Sequence, residues 1–235
     1  MSEPAVATRQ RRKEARPGEL IDAALELFVE KGFSATRIEE VAHRAGVSKG
    51  TLYLYFPSKE ALLKAVISER VSSEISAGAQ QAERFKGPMS ELLLTVMSQW
   101  WLRTLDGPVS GVFKIIVSEV RNFPEIGEQW VREVIEPGER LVGTILERGI
   151  ATGEFRPVDV PTAVHSLVLP MVMLCLHKHS LGACAHESHD LDPRGFVTAH
   201  LELMLHGLVA DPGATRGGRS GQAPSAAAPR RRAAR

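Results

Sequence analysis

The chain has 235 residues, 43% of them hydrophobic, and a formal net charge of +1. That length supports a well-buried core without covalent staples, and two cysteines, Cys175 and Cys184, are too few for a secreted disulfide framework. The basic N-terminus is not followed by an apolar stretch, so it lacks the layout of a signal peptide. The longest apolar run, Leu167 to Leu176, falls short of the ~18 residues needed to span a bilayer. Export and membrane insertion are disfavoured, and a cytoplasmic protein is expected.

Charge is segregated along the chain. Residues 1–16 carry five Arg or Lys against Glu3 and Glu14, and residues 212–235 carry six Arg and no acid. Taking those +3 and +6 ends from the total of +1 leaves −8 for residues 17–211. A body of that sign does not attract DNA as a whole, so any DNA binding must come from a local basic surface and the basic ends.

Residues 1–16 lack apolar periodicity and read as a flexible basic arm, which either lies along DNA or merely solubilises. A first helix is expected over 17–32, opened by Pro17 and stopped by Gly32, with Ile21, Ala24, Leu25 and Phe28 on one face. Thr36 stands three residues before Glu39, the spacing of a reciprocal capping pair, and marks a short second helix carrying Ile38, Val41 and Ala42. Gly46 suits a tight turn, and Ser48 caps a third helix over 49–55 that ends at Pro57. Ser58 caps a long fourth helix with Leu62, Leu63, Val66 and Ile67 as its stripe. Further helices are expected near 88–105, 109–122, 124–152, 159–180 and 193–209. Pro137-Gly138 should kink or break the third of these and Pro170 should kink the fourth. From about residue 212 onward, Gly, Ala, Ser, Pro and Arg dominate and read as a disordered basic tail. The fold class is therefore all-α, with no sheet.

The segment TRIEEVAHRAGVSKGTLYLYFPSKE, residues 36–60, carries the functional signal. Two short helices joined by a Gly-containing turn match the unit whose second helix enters the DNA major groove. Lys49, Thr51, Tyr53 and Tyr55 on that second helix are groups that reach phosphates or base edges, Gly50 permits close approach, and Leu52 and Phe56 point back into the domain. This string closely resembles the N-terminal signature of the TetR family (TetR/AcrR type), and residues 17–70 fit that family's four-helix DNA-binding region. The resemblance implies a helix-turn-helix domain over 17–62, joined by a long helix to a helical ligand-binding and dimerisation domain over 63–211. It also implies DNA contacts from Thr36, Arg37, Ser48, Lys49, Gly50, Thr51, Tyr53, Tyr55 and Lys59. Partners would be a double-stranded operator, a small organic ligand and a second copy held through the last two helices, with no cofactor and no membrane.

Beyond residue 70 the resemblance is weak, and it names no ligand. The family architecture puts a pocket within helices four to eight, for which Met97, Trp100, Trp101, Phe113, Ile116, Val117, Trp130, Val134, Val168 and Met171 are apolar candidates. Glu119, Arg121 and His165 are candidates to orient a polar group. Each of these residues also suits an ordinary core or a structural contact. Cys175, His177, His179, Cys184, His186 and His189 are donors for zinc, nickel or copper, which leaves a metal-responsive regulator as an alternative. Their spacing fits no finger, and 175, 177 and 179 diverge around a helix, so no metal site is assigned. An enzyme is disfavoured: there is no phosphate-binding Gly-rich loop, no His-Glu-x-x-His helix and no Gly-x-Ser-x-Gly elbow.

Overall fold

A computed structural model of the chain describes residues 4–180, 182 and 191–210, with side chains from Arg16 onward. Nine helical runs follow one another among the described residues. They are α1 (Pro4–Lys31), α2 (Ile38–Arg44), α3 (Lys49–Tyr55), α4 (Lys59–Val66, Ile67–Ser72 and Ser73–Arg84, continuous), α5 (Met89–Asp106), α6 (Ser110–Glu119), α7 (Pro124–Trp130, Val131–Ile135 and Glu136–Ala151, continuous), α8 (Val160–His179) and α9 (Pro193–Leu208). No strand forms among these residues, and Phe155 and Val209 make one isolated antiparallel bridge. The basic tail, residues 212–235, lies outside the described residues.

Local chemistry explains most boundaries. Ser48 accepts from the Thr51 N–H and Ser58 from the Ala61 N–H, both at 3.1 Å, while Asp159 and Asp192 cap α8 and α9. Gly32 and Gly46 take φ of +87° and +66°, the left-handed turns that a Cβ would strain. The start of α5 is held from a distance. The Glu154 carboxylate accepts from the backbone N–H groups of Met89 and Ser90, at 2.6 and 2.8 Å, and from the Ser90 hydroxyl. A carboxylate there answers both the orphan donors and the positive end of the helix dipole. Burial raises the Glu154 pKa, but those three bonds outweigh it and hold the group below the usual carboxylate range.

Two boundaries differ from expectation. Helix α1 begins at Pro4, so Pro17 lies inside it and the arm over residues 4–16 continues the helix. Ala5, Ala7, Arg9, Gln10, Arg11, Arg12 and Lys13 are strong helix formers, and that propensity extends the helix past the proline. The capping pair of α2 is shifted by one residue: Arg37 donates its N–H to Glu40 Oε2 at 3.0 Å. Thr36 is 2% exposed and its hydroxyl instead donates to the Gly32 and Leu27 carbonyls at 2.7 and 3.2 Å. Closing the end of α1 wins over capping α2.

Helix α1 packs on α2, α4 and α6, and α2 on α3, so the small N-terminal domain shares a face with the body. Leu20, Phe28, Val41, Leu52, Leu62 and Leu63 are fully buried there, each such Leu or Phe contributing about 1.5–3 kcal/mol. In the body, α5 packs on α7 and α9, α6 on α8, and α7 on both α8 and the far half of α4. Phe33 and Phe123 meet edge to face at 5.2 Å across the two domains.

Helices α4 and α7 each contain a π-helical stretch, Ile67–Ser72 and Val131–Ile135, and the two stretches touch. In α7 the cause is Pro137, whose missing N–H and bulky ring break the regular ladder at Glu133. By contrast, Pro170 sits within α8 without interrupting it. Helix α8 as a whole is long and apolar enough by composition to cross a bilayer, which the shorter run Leu167 to Leu176 did not suggest. Its apolar residues divide between the core, at Leu167, Met171 and Leu174, and an exposed strip at Leu169 and Met173.

Candidate functional site

The exposed face of α3 is built by anchoring its other face. Leu52 is fully buried and Tyr55 and Phe56 are half-buried, which leaves Ser48, Lys49, Gly50, Tyr53 and Leu54 outward. Thr51 is half-buried, its hydroxyl 2.8 Å from that of Ser48. Arg37 stands exposed at the start of α2. The Lys49 ammonium lies 2.6 Å from Glu39 and 5.8 Å from the centroid of the Tyr53 ring. The Glu39 hydrogen bond, with its charge, raises the Lys49 pKa, and Lys49 in turn lowers that of Glu39. Ser48, Lys49, Gly50 and Tyr53 thus share the exposed part of α3, with an acidic residue of α2 holding its main cation.

Two expected DNA contacts are turned inward. Thr36 is buried and committed to α1, as described above. Lys59 directs its ammonium at the carbonyls of Phe33, Ser34 and Thr36, at 2.8, 3.1 and 3.1 Å, and lies 4.6 Å from the centre of the Phe33 ring. An ammonium has three donors, and all three are used. Lys59 thus caps the loop that ends α1. Lys59→Met is expected to lower the unfolding free energy by about 1–2 kcal/mol, measured by urea denaturation, because charged hydrogen bonds to part-buried carbonyls are lost. An unchanged midpoint would return Lys59 to the DNA-facing set.

The body encloses a cavity of about 670 Å³ between the far half of α4 and helices α5 to α8. Met97, Trp100, Trp101, Phe113, Ile116, Val117, Trp130, Val134, His165 and Val168 line it, all of them residues singled out from the sequence. Ile75, Gly78 and Gln81 of α4 and Leu141, Val142 and Val164 join them. Aromatic rings run along one wall: Trp100 to Trp101 at 4.3 Å, Trp101 to Phe113 at 5.8 Å, Phe113 to Trp130 at 5.4 Å. The polar side chains of the lining include two pairs, Glu74 with Arg103 at 2.9 Å and Glu139 with His165 at 3.1 Å. Trp101 Nε1 is buried and has no hydrogen-bond partner among the described residues.

Met171 and Glu119 are not in the lining. Met171 is fully buried core. Glu119 faces the other way, accepting from Ser34 Oγ at 3.0 and 3.1 Å and from Asn122 at 3.2 Å. It ties the body to the N-terminal domain. The metal reading also changes: Cys175 is fully buried, and burial pushes its thiol up to about 12, away from the thiolate a metal requires. His179 shares a hydrogen bond of 2.8 Å with Ser110. Cys184, His186 and His189 lie outside the described residues. Among the described residues, no three His, Cys, Asp or Glu side chains gather as a metal set.

Sequence reasoning missed Leu54, which is 84% exposed, and the Glu39 partner of Lys49. Helical spacing from Gly50 to Leu54 carried the first signal, since residues four apart share a face.

Comparison with known proteins fits this geometry. A model of "Bacterial regulatory proteins, tetR family" matches residues 20–66, and one of "Tetracyclin repressor-like, C-terminal domain" matches residues 90–183. The fatty acid metabolism regulator protein of Bacillus subtilis is 27% identical over 146 residues, 61% of this chain and 74% of that one. The transcriptional activator FasR of Mycolicibacterium smegmatis is 44% identical over 72 residues, 31% of this chain and 32% of its own length. Among solved structures, the fatty acid degradation regulator FadR of Bacillus halodurans superimposes with a TM-score of 0.67 at 22% identity, covering 82% of this chain and 95% of that one. FadR of Bacillus subtilis, solved in complex with stearoyl-CoA, gives 0.64 at 23% identity, with 80% and 97% covered. At these identities the structural likeness speaks for the fold. With both its DNA-binding and its C-terminal domain matched, the chain belongs to the TetR family of bacterial transcriptional regulators.

Proposed function

We propose that this regulator is a repressor that leaves its operator when a lipophilic ligand carrying a long acyl chain enters the body cavity. The observation that carries the reading is the cavity itself: its volume falls within the usual range for small-molecule sites, and its walls are mainly apolar and aromatic. The relative named for fatty acid metabolism and the fold neighbour solved with stearoyl-CoA support the acyl class. The protein works in the cytoplasm as a homodimer. Leu169 and Met173 on α8 and Leu203 on α9, between 57% and 70% exposed, supply the apolar surface for pairing the last two helices. In that dimer the two α3 helices must stand about 34–36 Å apart to enter successive major grooves.

The test is fluorescence anisotropy with a duplex from upstream of the protein's own gene, with and without stearoyl-CoA. Binding should be sequence-selective and weaken with salt, and the ligand should raise Kd by about 5–150-fold. No selective binding removes the DNA reading, and no ligand effect removes the acyl class. A reporter gene downstream of the operator gives the sign of regulation: loss of the regulator should raise expression.

The ion pair at the interface yields a further expectation. In the free protein Glu39 competes with phosphate for Lys49, so Glu39→Gln should tighten DNA binding about threefold, as the exchange of one exposed ion pair permits. Weaker binding by this variant would mean that Glu39 positions Lys49 instead of competing for it.

A further inference from the structure

The outward face of α3 is poor in the groups that read guanine or adenine. Its sequence, KGTLYLY, contains no Arg, Asn or Gln, and its one cation, Lys49, is held by Glu39. What it does present is Leu54, 84% exposed, next to Tyr53 at 43%. A single exposed leucine is ordinary on a protein surface and proves nothing alone. The second observation is Gly50, one turn before Leu54 on the same face. A Cβ at Gly50 would meet only Ser48 Oγ, at 3.8 Å, within ordinary contact distance, and its φ is not in the left-handed region. Neither space nor backbone conformation therefore requires glycine there, in the first turn of α3. The reason for Gly50 lies outside the chain, where a bare backbone lets something come close beside the Leu54 side chain.

In the major groove one base carries an apolar group at that edge: thymine, through its C5-methyl. We infer that Leu54, beside the bare backbone of Gly50, reads thymine C5-methyl groups, so that operator half-sites are chosen for thymine at this position and not for guanine. The inference rests on the DNA-binding reading above and sharpens it to one residue and one chemical group. Lys49 and Tyr53 flank the patch and fix its register on the duplex.

The test begins with selection of duplexes from a random library by the full chain, which supplies the site. Each thymine of the selected half-site is then replaced by uracil, which lacks only the methyl and keeps every hydrogen-bonding edge. At one or two positions wild type should lose about fourfold in affinity per half-site, and about fifteenfold when both halves of a two-fold site are changed. Leu54→Ala should bind thymine and uracil duplexes within twofold of each other. Equal binding of both duplexes by wild type at every position overturns the assignment, and that arm needs no variant to fold. If the library yields no enriched sequence, the DNA-binding reading itself fails, and the inference with it.

Discussion

Val168→Trp is expected to bind operator DNA as tightly as wild type while failing to release it when ligand is added. Val168 lines the cavity from α8 and is only partly buried, so the larger ring projects into open volume instead of into packed core. Overpacking a filled core costs about 1–3 kcal/mol, and most of that is avoided where space adjoins the side chain. The ring occupies part of the 670 Å³ that the acyl chain needs, and ligand affinity should fall by about 100-fold or more. Calorimetry with stearoyl-CoA reads the first quantity and anisotropy on the operator reads the second. If Val168→Trp releases DNA at the wild-type ligand concentration, the cavity is not where the ligand acts.

Gln129→Leu should separate binding from response. Gln129 is 7% exposed, and its amide donates to the Lys64 carbonyl at 3.1 Å, to Ser68 Oγ at 2.9 Å and to Glu133 Oε2 at 3.0 Å. Ser68 closes the set on Glu133 at 2.6 Å. Two amide hydrogens thus serve three acceptors across the contact between the irregular stretches of α4 and α7. Trp130, just before that stretch of α7, and Val134 and Ile135 within it line the cavity. A displacement of Trp130 and Val134 is therefore expected to reach Lys64 of α4 through Gln129. Leucine fills the space but takes one donor each from the Lys64 carbonyl, Ser68 Oγ and the Glu133 carboxylate, which keeps its bonds from Ser68 and Arg132, and the loss should cost about 1–3 kcal/mol of stability. The ratio of DNA Kd with and without ligand should shrink toward one, with each separate affinity nearly kept. An unchanged ratio would place the transmission elsewhere, for example in the Ser34–Glu119 link. Acid should have a related effect. Burial raises the Glu133 pKa, but the bonds from Ser68, Gln129 and Arg132 outweigh it and leave it lowered. The stabilisation is then complete above the ordinary carboxylate pKa and is lost as pH falls through the lowered one.

Some of this was readable from residues alone, for physical reasons that differ from place to place. Capping serines and the glycine turn fix α3 through contacts a few residues apart, so the string around residues 36–60 shows its own geometry. Thr36 and Lys59 turn inward in ways a local string does not show: Thr36 folds back on the Leu27 and Gly32 carbonyls, and Lys59 reaches those of Phe33, Ser34 and Thr36 only once α4 has packed on α1. Glu119 failed for the same reason, its partner Ser34 being 85 positions away. The cavity aromatics were found because large apolar side chains recur at helical spacing. Met171 shows the limit of that argument: periodicity says that a residue faces inward, not whether the space before it is filled. The fourth helix belongs to the expected pocket, but Ile75 and Gly78 are not legible as lining in the sequence, because their role depends on what α5 and α7 leave open. Helix α1 ran past Pro17 because propensity over many residues exceeds the penalty at one.

Trp100, Trp101 and Trp130 are the chain's three tryptophans, and all of them border the cavity. Tryptophan emission from this protein, excited at wavelengths that Tyr53 and Tyr55 do not absorb, is therefore a signal from one place. Any guest that dries, quenches or reorients those indoles changes the whole spectrum at once, with no silent background from elsewhere in the molecule. A library of unlabelled compounds can be screened on the untouched protein by its own light, and the compound that shifts it can then be asked whether it also frees the operator.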